Sequence, residues 1–366
     1  MSLLIQKRRG MLNMTRWIGN VQGRSSVGTI AVMRNMISDM YALYAIDLGV
    51  QLGFFQQLAT SNQSLSIDEL ASKAKCNGDK KLFESWIRAV QAAGVLNVDK
   101  EEKISFREGW KEALTDETST EYIATLPRCY IALLEAYPKF ADIFKKQRKM
   151  AWQELGRSVV EDISADGVRA ANFFIEKVVD KVPGLREKLR NGATVYDVGC
   201  AAGHPTIRLA SAFPESYFVG IDIWPEAIEL AHVHVKQSLV DGKVKFKALC
   251  ATDIPKNVAD VIIFNDVLHE MDESLRQHAL TAMRAALKKD GGIFISDPLV
   301  PDTHEDYLKD STKCSSITHL FEVPFGARIV TRRELETLLH HAGLKIRTEI
   351  ESSDVEISAY VTSMEA

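Results

Sequence analysis

The sequence has few of the features that mark several protein classes. Its five cysteines are odd in number and widely spaced, and no Cys-x-x-Cys pair occurs, which argues for reduced thiols inside a cell. No apolar run approaches the length of a membrane span. The formal net charge is only −4, so we expect no global attraction to nucleic acid or to an acidic membrane. These absences indicate a cytoplasmic protein without a membrane or nucleic-acid partner.

Histidine and cysteine spacings typical of metal sites are also missing. His232 and His234 lie two residues apart on a predicted helix and therefore point to different faces. His340 is followed directly by another histidine near a helix end, and Cys314 and His319 have no companion ligands at metal spacing. From these spacings we expect no bound metal.

The first 38 residues contain no acidic residue, although they include six basic ones. One interpretation is a disordered or partly helical basic arm over residues 1–28. The other is an organellar transit peptide, which is arginine-rich and acid-poor and would direct the protein to mitochondria. The residues alone leave both interpretations open.

At 366 residues the chain is long enough for two domains. Apolar residues recur at helical steps over residues 29–59, where Gly49 and Gly53 weaken the middle and divide the helix. Ser66 is placed to cap a helix at 67–75, and a second helix is predicted at 79–93.

Two strands predicted at 95–98 and 103–106 follow these helices, which makes the segment read as a winged helix. Between residues 61 and 112, nine lysines and arginines balance nine aspartates and glutamates. Because phosphate neutralisation drives non-specific DNA affinity, a segment without net charge is poorly suited to it. We therefore interpret residues 29–115 as a dimerisation domain and expect a homodimer.

Residues 116–190 form a predominantly helical connector, with helices predicted at 122–134, 140–149 and 166–182. Its aromatic residues Tyr130, Tyr137 and Trp152 suit either a substrate pocket or simple core packing.

The most informative stretch is 194–222, TVYDVGCAAGHPTIRLASAFPESYFVGID. It predicts a strand that reaches Asp197, a tight turn through Gly199, Cys200, Ala201 and Gly203, a helix, and a second strand. That second strand ends at Asp222, 19 residues beyond the last turn glycine.

The two aspartates distinguish between two possible cofactors, a dinucleotide and S-adenosylmethionine. A dinucleotide places its pyrophosphate over such a turn, where Asp197 would repel it. S-adenosylmethionine carries an ammonium and a sulfonium instead, which Asp197 attracts. Asp222 is spaced to accept hydrogen bonds from ribose hydroxyls, with Ile223 beside it.

Further strands predicted at 244–249, 260–264 and 293–296 alternate with helices. One of these helices is predicted at 279–287, ended by Asp290-Gly291-Gly292. Thr252 and Asp253, just past the first of these strands, are placed to meet the adenine amino group. A Thr331-capped helix at 332–342 and a hairpin of strands 345–350 and 355–361 complete the chain.

The Asp197-Val-Gly199-Cys-Ala-Ala-Gly203 run resembles the first motif of class I S-adenosylmethionine-dependent methyltransferases, with Ala201 in place of the middle glycine. Together with the winged helix, residues 35–363 resemble small-molecule methyltransferases with an N-terminal dimerisation domain, plant O-methyltransferases among them. The resemblance implies an α/β fold with a Rossmann-like seven-stranded sheet in the methyltransferase domain, residues 191–366. It also implies S-adenosylmethionine as cofactor and a small-molecule acceptor that is methylated on oxygen or nitrogen.

The catalytic candidates follow the strand at 260–264, where open α/β sheets place their ligands. Asn265 and Asp266 are expected near the cofactor, and Glu270 is a reserve base. His269 resembles the base histidine of plant O-methyltransferases, although the His-Glu-Met-Asp-Glu run is one residue shorter than in that family. An imidazole that titrates near neutrality suits deprotonation of a phenol or enol. A purely structural histidine is the alternative.

Three rival functions remain open. An NAD-type oxidoreductase is disfavoured by Asp197 and by the three-residue gap between Gly199 and Gly203. A regulator that only senses S-adenosylmethionine through its winged helix is disfavoured by the charge balance. The third rival uses the cofactor without transferring its methyl group.

Overall fold

The computed structural model describes residues 28–61, 63–76, 80–146, 149–350 and 356–364. The predicted basic arm lies outside these residues, apart from Gly28. No helix in the described ranges combines the length and the apolar character needed to cross a bilayer.

The described α-helices and strands alternate along the C-terminal half of the chain. The helices are α1 (Thr29–Gln51), α2 (Phe54–Ala59), α3 (Ile67–Lys73), α4 (Lys80–Ala92), α5 (Trp110–Thr115), α6 (Leu126–Leu134), α7 (Tyr137–Lys146), α8 (Arg157–Asp166), α9 (Val168–Phe173), α10 (Leu185–Arg190), α11 (His204–Ala212), α12 (Pro225–Gln237), α13 (Glu273–Ala286), α14 (Lys313–Glu322) and α15 (Arg332–His341). The strands are β1 (Leu65–Ser66), β2 (Leu96–Val98), β3 (Lys103–Phe106), β4 (Thr194–Val198), β5 (Tyr217–Asp222), β6 (Val244–Ala248), β7 (Ala259–Asn265), β8 (Leu287–Pro298), β9 (Leu344–Glu349) and β10 (Glu356–Ser363).

The N-terminal region contains the helices and strands that the sequence predicts there. Gly53 has a φ of +68° and separates α1 from α2. Ser66 caps α3 in a capping box with Glu69. β1, β3 and β2 form a small antiparallel sheet, and buried side chains such as Trp86 join it to the helices.

The connector differs from its prediction. The helix predicted at 122–134 begins only at Leu126, where a proline occupies the first turn. The helix predicted at 166–182 is instead α9, continued by a π-helical turn at Phe174–Val178. α8, which precedes it, was not predicted, because its apolar positions are too few to give a clear helical period.

The large sheet has strand order β6-β5-β4-β7-β8-β10-β9, in which the first five strands are parallel and β10 is antiparallel to both neighbours. This confirms the predicted α/β fold with a seven-stranded sheet. Helices cover both faces and bury two apolar clusters against it. The carboxyl ends of β4, β5, β7 and β8 meet at one edge, which is where the candidate site residues lie.

Two boundaries in this domain were predicted wrongly. α13 begins at Glu273 rather than residue 279, because Asp272 caps it by accepting a hydrogen bond from Ser274. The segment Asp290–Gly292 does not end a helix. It lies inside β8, a strand of 12 residues whose pairing with β7 shifts register near Ala259.

Candidate active site

The turn between β4 and α11 requires glycine at two positions. Gly199 and Gly203 have φ angles of +77° and +83°. A Cβ on Gly199 would lie 2.4 Å from a methyl group of Val267, and one on Gly203 would lie 2.5 Å from the ring of Phe246. The turn is therefore pressed against the sheet, with no room for a side chain at either end.

Ala201 occupies the middle of this turn with a φ of +46°, a conformation that costs an alanine on the order of 1 kcal/mol. Its amide donates a hydrogen bond to Asp222 Oδ2 at 2.9 Å, which holds the strained residue in place. Cys200 beside it is buried, and that burial raises the pKa of its thiol well above the usual range. Cys200 thus packs beneath the turn as an unreactive thiol.

Asp197 ends β4 as a buried carboxyl group. Its Oδ2 accepts a hydrogen bond from Thr206 Oγ1 at 2.5 Å. Burial raises the pKa of Asp197 to about 6, against the opposing effect of the Thr206 hydrogen bond, and the charge of Asp222 raises it further. A cation bound nearby would stabilise the ionised form of this carboxyl.

Asp222 ends β5 and supports the turn from the neighbouring strand. Its Oδ1 accepts a hydrogen bond from the Trp224 amide at 2.9 Å, while its Oδ2 accepts the one from Ala201. Burial raises its pKa. The Ile223 amide also hydrogen-bonds to this carboxylate. Because a carboxylate has about four acceptor positions, Asp222 keeps acceptor capacity for a ligand. Ile223, next in the chain, exposes 69% of its surface at the same edge.

The remaining predicted cofactor residues lie at the ends of β6 and β7. Thr252 and Asp253 fall in a short 3₁₀ turn just after β6, where Thr252 Oγ1 lies 3.3 Å from Asp253 Oδ1. Asn265 Nδ2 donates to Asp266 Oδ2 at 2.9 Å. Asp266 has a φ of +53°, and its amide donates a hydrogen bond to the carbonyl oxygen of Ser296 on β8 at 2.8 Å. All four residues thus follow strands of the sheet edge that carries Asp222.

His269 lies beyond β7 and is 4% exposed. Its Nδ1 is 3.0 Å from Asp297 Oδ1, and its Nε2 is 3.6 Å from Glu322 Oε2. Asp297 Oδ2 also accepts a hydrogen bond from the Leu268 amide at 2.9 Å, which fixes the carboxylate. The pair with Asp297 orients the imidazole and leaves Nε2 as the nitrogen that can exchange a proton with a ligand.

The charges around His269 set its protonation. Burial alone would lower its pKa, but the charge and hydrogen bond of Asp297, with Glu270 and Glu322 nearby, raise it to about 10. Burial raises the pKa of Glu270 to about 8, and the charge of Asp222 contributes to that rise. Glu270 therefore lies within electrostatic reach of both His269 and the carboxyl group at the end of β5.

Several of these partners escaped the sequence analysis. Asp297 lies at the carboxyl end of β8. The sequence could have identified it as a site residue, because every parallel strand of the sheet ends at the same edge. Glu322 comes from α14, a helix that the sequence did not reveal. Arg276 is also unexpected: it is 1% exposed and donates from Nη2 to the backbone oxygens of His269 and Arg328 at 3.0 and 2.8 Å. It therefore braces the backbone of His269.

Aromatic side chains from the connector pack next to this cluster. Trp152 stacks on Phe325 with ring centroids 4.3 Å apart, and Phe140 packs on Phe321 at 5.7 Å. Trp152 also packs against the small buried cluster of Val160, Trp224 and Ala227, as Ala201 does. Trp152 therefore lies between this cluster and Phe325, which follows α14.

Comparisons with known proteins bear on the fold and on the class of activity. A family model described as a methyltransferase domain matches residues 189–343. An uncharacterized protein of Methanocaldococcus jannaschii is 25% identical over 72% of this chain and 68% of its own length. The 27-O-demethylrifamycin SV methyltransferase of Amycolatopsis mediterranei is 27% identical over 58% of this chain and 72% of its own.

Among solved structures, human N-acetylserotonin methyltransferase in complex with S-adenosylmethionine superposes with a TM-score of 0.65. The match covers 93% of this chain and 99% of the human enzyme's chain at 17% identity, so the likeness shows the fold alone. Together with the family model, these findings favour methyl transfer over an oxidoreductase or a regulator. Residues 189–343 form a methyltransferase domain, and the chain is an S-adenosylmethionine-dependent methyltransferase with the class I α/β fold.

Proposed function

We propose that the protein methylates a small organic acceptor on oxygen or nitrogen, with His269 as general base when the acceptor is a hydroxyl group. The observation that carries this proposal is the His269–Asp297 pair, whose 3.0 Å contact at Nδ1 leaves Nε2, 3.6 Å from Glu322 Oε2, as the nitrogen that would take the acceptor's proton. An amine can attack without a base, whereas a phenol or enol gains from one. The absence of the Asn/Asp-Pro-Pro-Tyr motif, which is typical of many amide and nucleic-acid N-methyltransferases, favours a hydroxyl acceptor.

In this mechanism the acceptor hydroxyl gives its proton to His269 Nε2 as the oxygen attacks the methyl carbon. The bound cofactor would supply the methyl group, and its sulfur would keep the electron pair of the broken carbon–sulfur bond as neutral S-adenosylhomocysteine. Asp297 stabilises the imidazolium that forms. Asp197 and Asp222 would hold the cationic cofactor so that its methyl group is aligned with the acceptor.

The cofactor should also make His269 a better base. In the free protein, neighbouring carboxyl groups raise the pKa of His269 to about 10. The sulfonium brings a positive charge to the same sheet edge, and a nearby cation favours loss of the imidazole proton. We therefore expect His269 to release its proton more readily in the cofactor complex than in the free protein.

The aromatic cluster supports an acceptor with a flat apolar portion. Glu322, which lies near His269 Nε2, directly precedes the 3₁₀ turn that carries Phe325. The buried Nε1 of Trp152, which stacks on Phe325, has no hydrogen-bond partner among the described residues. An acceptor seated here would find apolar surface and one hydrogen-bond donor, the combination that small-molecule sites commonly offer.

A methyl-transfer screen tests this proposal. The protein is incubated with methyl-labelled S-adenosylmethionine and a fractionated metabolite extract, and the label is located by mass spectrometry. We expect it on an oxygen or nitrogen of a small molecule. Label found only on protein or nucleic acid would contradict the proposal, as would no transfer in extracts that support another small-molecule methyltransferase.

We further propose that α1 pairs two subunits. Large apolar side chains are exposed along one side of the first two-thirds of this helix: Ile30, Met33, Met36, Ile37, Met40, Tyr41, Leu43 and Tyr44. The apolar side of a helix is normally buried against another surface, yet the buried residues of α1 within one chain are Ile46, Asp47 and Gly49. A second copy of the same helix is the occupant that matches this surface, since its apolar residues would be covered in turn.

Light scattering tests the pairing. We expect the intact protein to be a dimer and the double variant Met36→Glu/Met40→Glu to be a monomer, because paired glutamates would be desolvated in the interface. The matched control is Leu239→Glu, which changes a fully exposed leucine on the methyltransferase domain. A monomeric intact chain, or an equal effect of the control, would refute the proposal.

A further inference from the structure

Three side chains from three helices converge beside the glycine turn and have no part in the proposed methyl transfer. Glu161 lies on α8, His204 begins α11, and His234 lies on α12. Glu161 Oε1 is 2.8 Å from His204 Nε2 and 3.2 Å from His234 Nε2. The two imidazole rings stack with centroids 4.3 Å apart. One ligand atom from each residue thus lies within 4.8 Å of the other two.

The tautomer of His234 is fixed by the backbone. Its Nδ1 is 2.9 Å from the carbonyl oxygen of Ala202. Because a carbonyl oxygen can only accept, Nδ1 carries a proton, and the neutral ring presents a lone pair at Nε2. Backbone carbonyls orient metal-binding histidines in the same way.

With this tautomer, the contact between His234 and Glu161 is unfavourable unless a proton or a cation lies between the two atoms. In the neutral ring, two lone pairs, on His234 Nε2 and Glu161 Oε1, face each other at 3.2 Å. Either a second proton on the ring or a cation shared by the two atoms makes that contact favourable. The second oxygen of Glu161, Oε2, is buried without a hydrogen-bond partner among the described residues, so it is also available to a cation.

We propose that Glu161, His204 and His234 bind a divalent transition metal of the zinc type. Two imidazoles and one carboxylate form the ligand set of zinc sites that keep a fourth position open for water or another ligand. Imidazole nitrogen also suits nickel and copper, whereas magnesium and calcium prefer sites made of oxygen alone. The expectation of no metal site rested on spacing within the chain, and it missed this cluster because Glu161 and His204 are 43 residues apart.

A metal bound by the cluster would join helices from different parts of the chain. His204 directly follows Gly203 of the cofactor turn, and its amide donates to Ser164 on α8 at 3.3 Å. A metal held by all three residues would fasten α8 of the connector to α11 and α12 of the methyltransferase domain. Because a ligand that binds only the folded state stabilises it, the melting temperature should rise with metal concentration.

The test is a zinc titration of the full chain after chelator treatment, followed by calorimetry and by thermal melting. We expect one equivalent of Zn²⁺ to bind and the melting temperature to rise. His204→Gln, His234→Gln and Glu161→Gln should each weaken binding by more than the roughly 10–100-fold that loss of an outer hydrogen-bond partner costs. The matched control is His232→Gln, an exposed histidine on the same helix, which should bind zinc as the unaltered chain does.

The controls exclude unfolding and adventitious binding. Each variant is accepted only if its circular dichroism spectrum and its binding of S-adenosylhomocysteine match those of the unaltered chain. Zinc binding that survives all three substitutions, or that falls equally in His232→Gln, would overturn the proposal. Failure of the unaltered chain to bind zinc above the level of His234→Gln would overturn it as well. Because zinc binding is measured without methyl transfer, its outcome is separate from that of the proposed function.

Discussion

His269→Gln is expected to lower the rate of methyl transfer to a hydroxyl acceptor by roughly 10²–10⁴-fold, the usual contribution of a general base. Glutamine keeps the polar bulk of the side chain but cannot take the proton. Affinity for S-adenosylmethionine should stay unchanged, because Asp197 and Asp222, the proposed cofactor ligands, are untouched. The control is His278→Gln, an exposed histidine on α13.

The pH dependence of kcat/KM distinguishes catalysis from packing. The neighbours of His269 raise its pKa to about 10 in the free protein, and a base acts only when it is deprotonated. The rate should therefore rise from neutral pH towards pH 10, above the near-neutral range that the sequence suggests for an imidazole. Asp297→Asn removes the charge that raises this pKa, so it should move the rise to lower pH.

Two outcomes would contradict this role of His269. If the rise with pH persists in His269→Gln, the ionisation belongs to the acceptor itself. If the substitution lowers the melting temperature but leaves the rate and the pH profile unchanged, His269 only packs beneath the acceptor. An acceptor that arrives already nucleophilic, as an amine or a thiolate does, would then need alignment alone.

The same pKa has a consequence for stability. A histidine whose folded-state pKa lies above its unfolded value stabilises the fold fully below that unfolded value, about 6.5. This contribution is lost as the pH rises through the folded-state value of about 10. The unaltered protein should thus lose stability on alkaline titration to a greater extent than His269→Gln.

Asp222→Ala is expected to weaken S-adenosylmethionine binding at least about tenfold. Hydrogen bonds to a charged group are worth roughly 1.5–3 kcal/mol, which corresponds to about 10–150-fold in affinity. The effect should fall in the upper part of this range, because Asp222 also holds the amides of Ala201 and Trp224. Its loss would release the strained backbone of Ala201 and would also remove the proposed acceptor of the ribose hydroxyl groups.

Calorimetry measures this effect against two comparison variants. Asp241→Ala removes an exposed carboxylate from the loop before β6 and should leave binding unchanged. Asp222→Asn keeps the size of the side chain and one acceptor oxygen, so its affinity should fall between those of the unaltered chain and Asp222→Ala. Unchanged affinity in Asp222→Ala would remove Asp222 from the cofactor site.

Local signals in the sequence predicted the cofactor side of the site. Gly199 and Gly203 predicted a tight turn, and both have the positive φ that such a turn requires. Asp197 and Asp222 were placed by the rule that parallel strands end at a common edge. Ser66 and Thr331 predicted helix starts, and both form capping boxes. In each case the physical cause lies within a few residues of the signal.

The catalytic side was less predictable, because its contacts join distant parts of the chain. Asp297 meets His269 across 28 residues, and Glu322 reaches it from α14, a helix that the sequence analysis did not predict. Glu161, His204 and His234 likewise come together only when three helices pack. The pKa of His269 depends on these neighbours, so the sequence could suggest the residue but not the pH at which it titrates.

Isothermal titration of the unaltered chain with S-adenosylhomocysteine and, separately, with NAD⁺ tests the central claim most directly. The two ligands share an adenosine, so the comparison isolates the part of the ligand that meets the glycine turn and Asp197. We expect stoichiometric binding of S-adenosylhomocysteine and no binding of NAD⁺ at the same concentrations, because Asp197 would face the pyrophosphate. Binding of NAD⁺ in preference to S-adenosylhomocysteine would contradict the assignment of the site to methyl transfer.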